Sequence, residues 1–358
     1  MRWGAPRMRD MDSLSQLLLG ASVAAAVVPA AHRRAAMLAG AALGTLPDLD
    51  SLPIMLFTDD PVALMTLHRG ASHSLFVLPF VGWLLWALFR RRGGRVAESP
   101  VRWFWAIQLA LLTHPLLDAF TVYGTQLLWP LPARPAMWSS LFIIDPLYTV
   151  WLLVACVAAF ILRERVAAQR ALAAGLVLST AYLGWSLAAK GLVEREAARS
   201  LAAMGLEDAP RFSVPTPFNT LLWRVVAMTP DGYVEGFRSV VGDSGAMRFE
   251  PHASDVGALA GAAGIPAVAR LAWFNHGFMR ASEVDGQLVL SDLRMGSEPS
   301  YSFNFAVAER EGGQWRAIPP RQLSFAWSDA RGQLPRVWAR IFDPQVELAA
   351  DGCPTQSC

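Results

Sequence analysis

The sequence predicts a multi-pass α-helical membrane bundle of about six spans, some of them short or re-entrant, followed by a small extracytoplasmic α+β or β-rich domain. Three observations predict it. The chain has 358 residues, 54% hydrophobic and only 17% charged, too apolar for an ordinary water-soluble protein and too mixed for a membrane bundle alone. Six apolar runs fall between residues 14 and 189. After Lys190 the pattern changes to short alternating stretches separated by turn residues. The 14 Trp fit interfacial belts. A net charge of +2, with no basic stripe interleaved with aromatics, gives no footing for a nucleic-acid partner.

Residues 1–10 are a short basic extension, and Met11 is a candidate start. The spans read as Leu14–Ala31, Ala35–Leu46, Ser74–Phe89, Trp103–Phe120, Leu141–Leu162 and Ala171–Ala189. Several are short for a bilayer about 30 Å thick. Arg33 and Arg34, then Arg90, Arg91, Arg92, Arg95 and Arg102, then Arg163, Arg165 and Arg170 occupy alternate connections. The positive-inside rule makes those connections cytoplasmic and places loops 47–73 and 121–140, with everything after residue 189, outside. Residues 11–190 thus form a membrane domain, 191–216 a linker, 217–346 the β-rich domain and 347–358 a tail. In the β-rich domain Thr229-Pro230-Asp231-Gly232, Asp285-Gly286 and Gly312-Gly313 each separate two strand-like stretches, so three hairpins are expected. Residues 253–271 read as a helix. Cys353 and Cys358 bear on the tail's compartment, whereas Cys156 sits in an apolar run.

The polar groups inside the apolar region carry the functional signal. His114 and Asp118 are four residues apart, on one face of a helix. Ionisable groups in such a segment need a partner or a task. On the expected topology Asp12, Asp48, Asp50, His68, His73, His114, Asp118 and Asp145 all fall on one side. Imidazoles and carboxylates are ligands for Zn, with Mn or Mg as alternatives, and the candidate metal ligands are Asp48, Asp50, His68, His73, His114 and Asp118. Six candidates leave room for one or two ions, or one ion beside a general base. Asp145, before Pro146, reads equally as a ligand, a catalytic base or a helix cap. Arg69 reads as a catalytic cation that neutralises a substrate, or as a partner of lipid headgroups. Tyr123, Thr125 and Gln126 line the site or pack the loop.

Those residues carry a resemblance. Met11–Gln16, Gly44–Asp50, His68–Ser74, His114–Thr121, Tyr123–Pro130 and Ile144–Tyr148 resemble, in order and spacing, the LexA-regulated, inner-membrane metal-dependent hydrolase family of bacteria and archaea. The match covers about residues 11–190 and supports Met11 as the functional start. Pro217–Arg224 resembles a tail found in one branch of that family. The resemblance implies a membrane-bound, metal-dependent hydrolase of the bacterial inner membrane. One departure is Gln16, where many members have His. The His-x3-Asp spacing is also similar to that of zinc-dependent phospholipase C and related nucleases.

The expected activity is attack of metal-activated water on an ester or phosphoester, on a membrane lipid, a lipid-linked molecule or a small molecule. Two alternatives belong to other classes. One is a non-catalytic structural or sensor protein with a stabilising metal. The other is an ion-coupled transporter, against which the one-sided clustering of the polar groups argues.

Overall fold

The computed structural model describes residues 13–323 and 330–348. Met11, Asp12, Cys353 and Cys358 lie outside the described residues. The chain forms two compact units. One holds residues up to 59, 66–138 and 143–185; the other holds 60–65, 139–142 and the chain from 186 onward.

The first unit is helical. Its elements are α1 (Ser13–Val27), α2 (Arg33–Thr45), α3 (Ser51–Phe57), α4 (Pro61–Leu67, shared with the second unit), α5 (Val77–Arg91), α6 (Arg95–Glu98), α7 (Pro100–Ala119) and α8 (Pro146–Leu162). Single 3-10 turns at Ala30–His32, Pro47–Asp50 and Ala71–His73 interrupt the helices. The core is made mostly of small side chains: Ala24 of α1, Val28 just after it, Ala36 of α2 and Ala106 and Ala110 of α7 form one buried cluster with Trp103. Small residues let α1 and α2 approach closely. A Cβ added at Gly40 would lie 2.2 Å from the Gly20 carbonyl oxygen, and one at Gly44 would lie 2.4 Å from that of Gln16. No side chain fits at either position.

The six-span reading does not hold. By length and composition one helix suits a membrane crossing, α9 (Val166–Ala202). A second arises only if Pro61–His73 and Val77–Arg91, bent by 56°, count as one broken span or re-entrant loop. The reason is physical. α1 has 15 residues and α8 has 17, lengths of about 22 and 25 Å against a hydrocarbon layer of about 30 Å. α7 has 20 residues but carries Arg102, Gln108, His114 and Asp118, and it is buried along much of its length. These apolar runs pack against one another as the core of the helical unit. With one or two crossing helices, alternation of Arg-rich connections no longer assigns sides to the loops or to the C-terminal domain. Ala171–Ala189 is not a separate span either, because α9 runs without a break to Ala202.

The second unit is built on antiparallel sheets. Strands β1 (Arg211–Pro215), β2 (Leu222–Thr229), β3 (Gly232–Ser239) and β4 (Glu250–Ala253) form one sheet in chain order. Residues 191–216 therefore hold the end of α9 and β1. Strands β5 (Met279–Val284), β6 (Gln287–Asp292), β9 (Asn304–Glu311) and β10 (Gln314–Leu323) form a second sheet, in the order β10-β9-β6-β5, and β7 (Gly296–Ser297) pairs with β8 (Ser300–Tyr301). The three hairpin turns fall where the turn residues place them: Thr229 pairs with Gly232, Val284 with Gln287 and Glu311 with Gln314. The helix read over 253–271 is two helices, α10 (Val256–Gly261) and α11 (Pro266–Phe274). Pro266 cannot continue α10 but suits the first turn of α11. Ala189, Val193 and Ala197 of α9 pack on Trp223 and Val225 of β2, and α12 (Ala330–Phe342) adds Val337 and Ile341 against Leu222. A buried Arg224 joins Glu235 and the Tyr301 hydroxyl.

Candidate metal centre

Three short segments deliver the candidate ligands. The Pro47–Asp50 turn ends α2 and supplies Asp48; the Ala71–His73 turn supplies His73; the last turns of α7 supply His114 and Asp118. One atom from each of Asp48, His73, His114 and Asp118 lies within 4.8 Å of the other three. His73 Nε2 is 3.0 Å from both His114 Nε2 and Asp118 Oδ2, and 3.4 Å from Asp48 Oδ1. His114 Nε2 is 3.3 Å from Asp48 Oδ1 and 3.4 Å from Asp118 Oδ2. A tetrahedral zinc with bonds of roughly 2.0–2.1 Å has ligand–ligand edges of about 3.4 Å. Five of the six edges therefore already have nearly the length a zinc ion needs.

The neighbours fix which ring atoms face inward. His114 Nδ1 sits 2.5 Å from the Gly44 carbonyl oxygen. A carbonyl only accepts, so Nδ1 donates and Nε2 of the neutral ring keeps its lone pair. The Ser72 hydroxyl donates to Asp50 Oδ2 at 2.5 Å and must accept from His73 Nδ1 at 2.9 Å. His73 therefore also turns an unprotonated Nε2 to the centre. Gln16 Nε2 donates to Asp118 Oδ1 at 2.7 Å and leaves Oδ2 facing the cluster. Asp48 Oδ1 and Asp118 Oδ2 are buried with no well-directed hydrogen bond among the described residues. With both rings neutral, two imidazole nitrogens and two carboxylate oxygens converge, a group that could hold a divalent cation. The N2O2 composition suits zinc better than magnesium, which prefers oxygen alone.

Without a cation the centre holds itself together by charge. Burial opposes ionisation of Asp48, but the adjacent His114 imidazolium outweighs it and keeps the carboxyl far below its usual range. Burial likewise opposes charge on His114, yet Asp118 and Asp48 push its imidazolium up to about 10.

The six candidate ligands separate into four and two. Asp50 and His68 pair with each other beside the four: His68 Nδ1 lies 2.6 Å from Asp50 Oδ1. Asp50 also accepts from the Arg69 amide at 3.1 Å, and its Oδ2 is 4.0 Å from His73 Nδ1. Arg69 is buried rather than turned to headgroups. Its Nε is 3.2 Å from Asp118 Oδ2, its Nη1 donates to Thr121 Oγ1 at 3.3 Å, and its guanidinium stands 5.0 Å from the Tyr123 ring centre. Asp145 caps α8, accepting from the amides of Leu147 at 2.9 Å and Tyr148 at 3.2 Å, while the Tyr182 hydroxyl donates to its Oδ2 at 2.8 Å. Burial raises its pKa against those hydrogen bonds. It falls outside the four-ligand group. The 121–138 loop braces the His68–Ser74 segment: the Gln126 amide donates to Arg69 O and the Leu75 amide to Leu127 O, each at 2.9 Å, and the Ser74 hydroxyl donates to Trp129 O at 2.6 Å. Ser72, Gln16 and the Gly44 carbonyl are the contributors that spacing alone did not show. The clues were the serine directly before His73 and the Gly40-x3-Gly44 pattern.

No curated protein and no solved structure matches this chain. A family model described as YdjM inner membrane protein matches residues 11–193, which is more than half of the chain and holds all four candidate ligands. The chain belongs to the YdjM inner membrane protein family.

Proposed function

We propose that the helical unit is a metal-dependent hydrolase of esters or phosphoesters, with Asp48, His73, His114 and Asp118 as the ligands. The observation that carries this reading is the inward pair of bare Nε2 atoms with both Nδ1 atoms engaged. A divalent cation held there supplies a polarising charge for the substrate's carbonyl or phosphoryl oxygen and for the attacking water. Water oxygen bonds to the carbonyl carbon or phosphorus, the ester C–O or P–O bond breaks, and the leaving alkoxide takes the proton that water loses. The Asp50–His68 pair is the proton carrier. Asp50 accepts from His68 Nδ1, which leaves the lone pair on Nε2 of this partly exposed ring. Arg69 balances one carboxylate: Asp48, Asp50 and Asp118 with one guanidinium give the centre a charge of −2, which a dication neutralises, so a phosphoester anion is not repelled.

A second reading has its own observation. Four protein ligands fill a tetrahedral shell, the habit of structural rather than catalytic zinc. His73 and Asp118 side chains have no exposed area, while Asp48 keeps 23%. The catalytic reading requires Asp48 to be the ligand at the open side. Elemental analysis of purified wild type beside His114→Ala and Asp118→Asn, followed by hydrolysis of bis(p-nitrophenyl) phosphate and p-nitrophenyl butyrate, tests both. Metal lost in the variants together with activity supports the hydrolase. Metal lost without any wild-type turnover supports the structural role. Folded wild-type protein that takes up no zinc or manganese rejects both.

A further inference from the structure

The segment that supplies Asp48 continues directly into a largely exposed apolar helix. α3 reads Ser-Leu-Pro-Ile-Met-Leu-Phe and contains no buried residue. Leu56 is 84% and Phe57 87% exposed, and Leu49, Leu52 and Met55 are about half exposed. Leu49 stands between Asp48 and Asp50, so the apolar surface begins among the site's own carboxylates. The next carboxylates, Asp59 and Asp60, follow only after Phe57.

A second apolar surface starts three residues after His73. Phe76, Phe80, Trp83 and Leu84 are all exposed, and Phe80, Trp83 and Leu84 follow the spacing of one α5 face. α5 is half of the bent apolar pair that suits a broken span or a re-entrant loop, and His73 ends the other half. The ligands thus flank two exposed apolar elements in a chain of an inner-membrane family. Water is a poor neighbour for such surfaces, and acyl chains are a good one.

We propose that α3 is a lip inserted among the acyl chains of the bilayer, and that the substrate is a membrane lipid whose ester or phosphoester lies at headgroup depth beside Asp48. The lip holds the tails and the metal centre receives the headgroup linkage. The substrate half rests on the hydrolase reading; the insertion half stands without it. Arg69 does not compete for the headgroup, since it is buried against Asp118 and Tyr123.

The test uses the full chain in dioleoylphosphatidylcholine vesicles, with Cys156, Cys353 and Cys358 changed to Ser. Spin labels go on Leu56→Cys, Phe57→Cys and, as a water-facing reference, Asp285→Cys in the exposed β5–β6 turn. The expected result is labels at 56 and 57 that oxygen reaches and a water-soluble nickel chelate does not, with the opposite at 285. Equal chelate access at all three sites overturns the lip. Spin–spin broadening at 56 and 57 that disappears on dilution with unlabelled protein also overturns it, because a second copy would then cover the helix. Substrate class is read as the ratio of hydrolysis of vesicle lipid to hydrolysis of bis(p-nitrophenyl) phosphate. Leu56→Ser with Phe57→Ser lowers that ratio about tenfold or more, the loss expected when buried side chains of this size no longer partition. A wild type that cleaves the soluble ester but no lipid overturns the substrate half. One that cleaves neither removes the hydrolase reading and leaves the depth result to decide the lip.

Discussion

Gly44→Ala adds one methyl group and separates helix packing from chemistry. The new Cβ would lie 2.4 Å from the Gln16 carbonyl oxygen and 3.2 Å from Gly20 Cα. Both neighbours are backbone, so no flexible side chain can yield. Relief needs a shift of roughly 1 Å between α1 and α2, and overpacking of this kind costs about 1–3 kcal/mol. Two site partners are attached to the same contact. The Gly44 carbonyl holds His114 Nδ1 at 2.5 Å, and Gln16 holds Asp118 Oδ1 at 2.7 Å. Loss of such outer partners weakens metal binding about 10- to 100-fold. Zinc affinity is measured by competition with a chromophoric chelator, and stability by thermal melting of the metal-free protein. Gly184→Ala is the control, because a Cβ there meets nothing within 4 Å; in a helix it should stabilise by about 0.5–1 kcal/mol. A Gly44→Ala protein with a lowered melting temperature but wild-type zinc affinity would refute the coupling of the α1–α2 contact to the metal centre.

Three other outcomes are expected. Gln16→Leu removes the donor to Asp118 Oδ1 while keeping side-chain bulk, and should weaken zinc binding about tenfold in the same chelator assay. Unchanged affinity would mean that Arg69 alone orients Asp118. Lys190 Nζ, in the second unit, donates to the Ser213 carbonyl at 2.7 Å and to the Ser139 and Ser213 hydroxyls at 2.8 and 3.0 Å. Lys190→Met leaves those acceptors buried, for a cost of about 1–3 kcal/mol, and a denaturant midpoint equal to wild type would contradict it. Stability of the metal-free protein should also depend on pH from both sides. The His114 imidazolium, held up to about 10, contributes fully below about pH 6.5, its ordinary value, and loses that contribution as pH rises towards 10. Asp48 and Asp50, both depressed, stabilise above about pH 4 and lose that effect as pH falls further. Melting temperature should be highest between these limits, and bound zinc, which takes neutral imidazoles, should remove the alkaline decline. A flat metal-free profile from about pH 6 to 10 would count against the carboxylate-held imidazolium.

The candidate site was more legible than the architecture, for a reason visible in particular residues. His114 and Asp118 announce themselves because a helix fixes their spacing, and Asp48 and His73 because ionisable groups beside apolar helices have few other tasks. The hairpins were legible because Asp285-Gly286 and Gly312-Gly313 adopt backbone angles that favour glycine and its neighbours, and all four have positive φ. What spacing does not encode is which partner a polar group selects. Asp50 hydrogen-bonds both the His68 ring and the Ser72 hydroxyl, partners that only the fold shows. The number of spans failed for a different reason. Leu18, Ala24 and Ala25 of α1 are buried, and so are Ala106, Ala110 and Leu111 of α7. A hydropathy scale assigns a residue the same value whether a neighbouring helix or a lipid chain covers it. Burial by protein and burial by bilayer therefore look identical until length decides, and 15-residue α1 is too short. The same argument gives α3 its weight. An apolar helix of 7 residues is too short to span, and its Leu56 and Phe57 are 84% and 87% exposed, so neither account that explains α1 and α7 explains α3. An apolar surface beside a ligand, left uncovered by its own fold, is what contact with the membrane at the mouth of the site requires.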